Sequence, residues 1–95
     1  MRKAYREYVR SLPCSITGYI GEEVSPHHII GNNWLTGKAM GKKGSDITCI
    51  PIRQDLHQEL HDMGWRSFEN KYNFSQIEAM VKTILQAERD GKIKL

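Results

Sequence analysis

Apolar residues recur every three or four positions in several stretches of this chain and cluster in two others. Ala4, Tyr5, Tyr8, Val9 and Leu12 have helical spacing, which predicts an amphipathic helix over residues 2–11 with a basic outer face, stopped by Pro13. From Cys14 to Gly21, Ser15, Thr17, Gly18 and Gly21 break up the apolar residues, as expected of a tight loop. "EVSPHHII" reads as a strand beginning around Pro26, and the β-rich "ITCIPI" as a second strand ending at Pro51 and pairing with the first. Leu56, Leu60 and Met63 then form a stripe on a helix opened by Gln54 or Asp55 and closed by Gly64. "WRSFENKY" places Trp65, Phe68 and Tyr72 on one face of a short helix. In the last helix Ser75 and Glu78 match a capping box, and Ile77, Met80, Val81, Ile84 and Leu85 are expected in the core, with Gly91 as the stop.

Helices around a two-stranded hairpin make the predicted class α+β, and 95 residues leave room for one modest core, so residues 1–95 are read as one domain. A functional site must then lie at the edge of that core. The formal net charge of +3 biases the chain mildly toward anionic partners such as nucleic acid. The N-terminal "MRKAYREYVRSLPC" mixes charges with aromatics and lacks the apolar run of a secretory signal or membrane span, so a cytoplasmic, intracellular protein is expected. Two cysteines, Cys14 and Cys49, are too few for a disulfide scaffold; free thiols are expected, with one bridge between them left open.

All four histidines come in two pairs: His27 and His28 in "SPHHIIG", and His57 and His61 in "DLHQELH". Four residues apart on a helix, His57 and His61 have Cβ atoms about 5–6 Å apart on one face. Two imidazoles so placed can share a divalent ion, since zinc takes ring nitrogens at about 2.0–2.1 Å. The blander reading is two solvent-facing histidines beside the leucine stripe. A hairpin laid across that helix would bring a third imidazole and a spare one, and three ligands plus one base form a catalytic set with coordination positions left open. A zincin-type protease is discounted. Gln58 follows the first helix histidine, and Glu59 lies about 200° around the helix from it.

These residues resemble the HNH, or ββα-metal (His-Me finger), nuclease family over about residues 13–63, most clearly in "SPHHIIG", "GKKGSDITCIPIR" and "LHQELH". The pattern is most similar to small phage and prophage HNH proteins related to the Ref recombination-enhancement nucleases, and the histidine arrangement also resembles that of colicin DNases. The resemblance implies a ββα-metal core, one divalent ion (magnesium, manganese, nickel or zinc) held by His27, His57 and His61, and His28 as the general base. Asp46 falls where the family has an Asn that braces the histidine doublet through backbone hydrogen bonds. Many family members hold a structural zinc on paired cysteines, whose places here are taken by Cys14, Thr17, Arg53 and Leu56. No second zinc is therefore expected, and Leu56 is expected to pack into that space.

The implied activity is metal-dependent hydrolysis of DNA phosphodiester bonds in phage or bacterial DNA processing or recombination, by a monomer or homodimer, with recombination proteins as candidate partners. The glycine-rich stretch between the strands carries Lys38, Lys42 and Lys43, candidate phosphate contacts for which a solvated surface charge is an equal alternative. Arg53 is a candidate for phosphate or transition-state contact, and Trp34 is read as a loop anchor ahead of a base-stacking residue. Two alternatives compete: a non-catalytic DNA-binding recombination accessory protein and a small structural metal-binding protein. A helical partner-binding module with surface histidines is the blandest reading.

Overall fold

In the computed structural model, residues 2–31 and 46–93 are described. The first helix, α1 (Arg2–Arg10), buries Tyr5 and Val9, one turn apart, and leaves Glu7 and Arg10 exposed. A turn-rich loop leads to strand β1 (Val24–His28), which pairs antiparallel with β2 (Cys49–Arg53). The register sets Val24 opposite Arg53, Pro26 opposite Pro51, and His28 opposite Cys49.

Both strands differ in extent from their sequence expectation. β1 begins at Val24, two residues before Pro26, and β2 runs past Pro51 to Arg53. A two-stranded sheet has only edge strands, each with a free side. A proline can therefore sit within either strand without removing a required ladder hydrogen bond. Asp46–Thr48, the first part of the "ITCIPI" approach, forms a 3-10 turn, so β2 starts at Cys49.

Helix α2 (Gln54–Met63) leaves β2 without a connecting loop, and the φ of +88° at Gly64 turns the chain into α3 (Trp65–Tyr72). Leu56 and Leu60 of α2 and Phe68 of α3 join Cys14, Val24, Ile29, Ile50 and Ile52 in the main core. Leu56 and Cys14 thus share one cluster. Cys49 belongs to a second cluster, with Tyr5, Val9 and Ala87, and the two thiols are not bridged. Tyr8 ties α1 to the end of α4 (Gln76–Arg89) by donating its hydroxyl to Asp90 at 2.6 Å.

The Ser75 hydroxyl oxygen accepts from the Glu78 backbone N–H at 3.2 Å, one half of the expected capping box. Glu78 turns its carboxylate to Lys82 instead of back to Ser75. Ser75→Ala is expected to cost about 1 kcal/mol of stability and to lower the melting temperature by roughly 4–8 °C. A thermal melt followed by circular dichroism would check this.

The buried face of α4 is Gln76, Ala79, Met80, Thr83 and Ala87; Val81 and Leu85, expected in the core, are exposed. The helix is rotated from its most apolar orientation because Gln76 and Thr83 have internal partners that offset their burial. No helix among the described residues is long and apolar enough to cross a membrane.

Candidate metal centre

Burial of Leu56 and Leu60 fixes the rotation of α2, and that rotation carries His57 and His61 along the edge of the core toward β1. The ring centroids of these two histidines lie 4.8 Å apart. On β1, His27 points into the protein and is 1% exposed. Its ring stands edge-on to both helix histidines, with centroids 4.6 Å from His57 and 5.8 Å from His61. One nitrogen from each of the three rings lies within 4.8 Å of the others. Three nitrogens around one tetrahedral zinc stand roughly 3.3 Å apart, given bonds of about 2.0–2.1 Å. From separations of up to 4.8 Å the nitrogens therefore need to close by at most about 1.5 Å, within reach of side-chain rotation.

Exposure rises across the group from buried His27 through half-buried His57 to exposed His61. The open side faces solvent at His61, where water or a substrate could enter. Burial pushes His27 down to about 3, with the neighbouring histidines acting in the same direction. His57 is also lowered, first by burial and then by His61 and His28. Neutral imidazoles are the metal-binding form. An all-nitrogen set at the edge of a dry core thus fits a borderline-soft divalent ion.

His28, next in β1, projects away from this group, as successive strand residues do. Its Nε2 lies 2.7 Å from Asp46 Oδ1, and the Arg6 Nε lies 3.5 Å from the other Asp46 oxygen. Asp46 therefore meets the doublet through the His28 ring, by side chain rather than by backbone bracing. His28, Asp46 and Cys49 bring ligand-type atoms within 4.8 Å of one another. Arg6 beside the carboxylate makes this second group the less favourable place for a cation.

Arg53 caps α2 and makes no side-chain hydrogen bond to a histidine among the described residues. It pairs with Val24 at the opposite end of the hairpin from His28. Its guanidinium makes two hydrogen bonds to Asp55, at 2.7 and 2.9 Å, and lies over the Tyr19 ring. Those two bonds use two of its five N–H donors, so a phosphate could be met by the others with Asp55 still paired. Lys38, Lys42, Lys43 and Trp34 lie outside the described residues. A groove lined by Leu12, Pro13, Pro51, Phe74 and Lys82 contains none of the histidines.

Two residues at the site, Ser25 and Gln76, had no sequence signal, and a third, Arg6, had only a general one. Ser25 lies 3.1 Å from His57 Nδ1. Gln76 reaches His27 Nε2 at 2.9 Å from 49 positions away. The last helix thus reaches the histidine group through this residue. Arg6 was visible only as part of a basic helix face.

The fold and the site define a small α+β chain whose three grouped imidazoles sit beside a histidine–aspartate pair. Residues 1–91 match the family described as "Protein of unknown function (DUF968)", and the chain belongs to that family. It is 32% identical over 87 residues to "Uncharacterized protein YdfU" of Escherichia coli (strain K12). That match covers 92% of this chain and 23% of the relative's length. No solved structure matches the chain.

Proposed function

We propose that this chain is a metal-dependent endonuclease of the HNH, ββα-metal type that hydrolyses DNA phosphodiester bonds in phage or prophage DNA processing or recombination. The observation that carries the reading is the division of the four histidines. Three group their nitrogens within 4.8 Å, while the fourth stands apart, held by a carboxylate. In this reading β1, β2 and α2 are the ββα unit, and His27, His57 and His61 hold one divalent ion. Such an ion, when bound, would polarise the scissile phosphate and support the leaving 3′ oxygen.

The remaining work falls to the protein's own groups. A carboxylate can only accept, so Asp46 takes the Nε2–H of His28 and leaves Nδ1 bare to remove a proton from the attacking water. Asp46 also holds the ring in place and balances the charge once His28 is protonated. The product would carry a 5′ phosphate. Lys38, Lys42, Lys43 and Arg53 are the proposed phosphate grips, and DNA binding through them should weaken as salt rises.

The test is plasmid nicking in magnesium, manganese, nickel or zinc, with and without a chelator. Nicked circles are expected with at least one of these ions and none after chelation. DNA binding with no nicking in any of the four would overturn the nuclease reading and favour a recombination accessory role.

A further inference from the structure

Gln76 is the first residue of α4 and is fully buried, in the core where amide side chains are rarely found. Its side chain clasps Ile30, two residues past the end of β1. The oxygen Oε1 accepts from the Ile30 N–H at 3.1 Å, and Nε2 donates to the Ile30 carbonyl at 3.0 Å. A backbone N–H can only donate and a backbone carbonyl can only accept, so the amide has one orientation. Flipping it would set two donors and two acceptors face to face in the core.

The same Oε1 lies 2.9 Å from His27 Nε2. An amide oxygen has no hydrogen to give, so the hydrogen in this contact belongs to His27 Nε2. A neutral imidazole carries one N–H, and its lone pair is then on Nδ1. Ser25 favours the opposite choice at His57. Its hydroxyl lies 3.2 Å from the Ile52 carbonyl and 3.1 Å from His57 Nδ1; with its one hydrogen on the carbonyl, which can only accept, the hydroxyl accepts from His57 Nδ1. The lone pair of His57 is left on Nε2.

We infer that Gln76 is a positioning residue that commits His27 to its Nε2–H tautomer, while Ser25 commits His57 to its Nδ1–H tautomer, so that the atoms offered to an ion are His27 Nδ1 and His57 Nε2. The consequence for metal affinity rests on the metal-centre reading above; the tautomers themselves do not. Outer partners of this kind hold a ligating ring in orientation and raise its basicity, and their loss typically costs about 10–100-fold in metal affinity. The clasp also links the site to α4, so the last helix contributes to a centre otherwise built from the hairpin and α2.

Long-range proton–nitrogen NMR on the chelated protein at neutral pH reads the tautomers directly. His27 should appear protonated at Nε2 and His57 at Nδ1; the reverse at His27, or an even mixture, overturns the inference. Zinc titration of Gln76→Met, which keeps the length and removes the acceptor, should show about a 10–100-fold loss of affinity. Gln76→Glu keeps an acceptor for His27 and should retain the tautomer and near wild-type affinity, even where its melting temperature falls with loss of the bond to the Ile30 carbonyl. If affinity follows melting temperature across both variants, Gln76 is structural only and the positioning role fails. If Gln76→Met does not fold, the wild-type NMR result and Gln76→Glu decide. Wild-type protein that binds no divalent ion would sink the metal centre, while the NMR arm still decides the tautomers.

Discussion

Replacement of His28 with alanine is expected to lower plasmid nicking by about 10²–10⁴-fold while leaving divalent-ion affinity unchanged, because a positioned base is worth about that much in rate. The two effects separate on geometry. His28 lies outside the three-histidine group and makes its close contact with Asp46 at 2.7 Å, so its removal takes away no ligand. Its side chain is 16% exposed, enough for a water to reach the ring. His57→Ala is the contrasting variant: it deletes a ligand and should lose both ion binding and nicking. Calorimetric titration beside the nicking assay distinguishes the two variants. Parallel loss of ion affinity and cleavage in His28→Ala would place that residue among the ligands and leave the proposed mechanism without its base.

The metal-free protein should lose stability steeply as pH falls from about 6.5 toward 4. His27 is held down to about 3 by burial, whereas an unfolded chain protonates the same ring near its ordinary value of 6.5. Above 6.5 the ring is neutral in both states and contributes nothing to the difference. Below it, the unfolded state binds a proton that the folded state refuses, so stability falls by about 1.4 kcal/mol per pH unit until the folded ring also titrates, near 3. Over the whole window this is on the order of 5 kcal/mol for His27. That compares with about 5–15 kcal/mol for the whole stability of a typical domain.

His57, lowered by burial and by its neighbours, adds to the loss in the same direction. Carboxylates held low by their partners, such as Asp55 and Asp90, act below their ordinary range near 4, so the interval between 6.5 and 4.5 isolates the histidines. Urea denaturation in chelator at half-unit steps of pH would measure the slope. A flat stability across that interval would mean that His27 is hydrated in the folded protein and that the buried ligand is misplaced.

Much of the architecture was legible because local rules governed it. The helix over Gln54–Met63 follows from its leucine stripe and Gly64, and Trp65–Tyr72 follows from Phe68 and its neighbours. The histidine group was legible for the same reason. The four-residue spacing of His57 and His61 is a helical property, and the pairing of "SPHHII" with "ITCIPI" is a strand property. A hairpin beside a helix therefore left few ways to arrange them. The strand limits were misplaced because the prolines looked like ends, and only the sheet's having two edge strands makes them harmless. The exposed pair Val81 and Leu85 was misplaced because apolar periodicity alone cannot weigh a buried amide with three partners against two aliphatic side chains.

The amino-acid sequence by itself determined the α+β class, the helices, the paired strands and the four imidazoles, because periodicity, caps and turn residues act over a few positions. Only the tertiary structure decided that Asp46 meets the ring of His28 and that Arg53 turns to Asp55. It alone brought Gln76 across 49 positions to close on His27. Hydrogen-bond partners of a buried group are chosen by which elements pack together, and no local pattern in the chain records that choice.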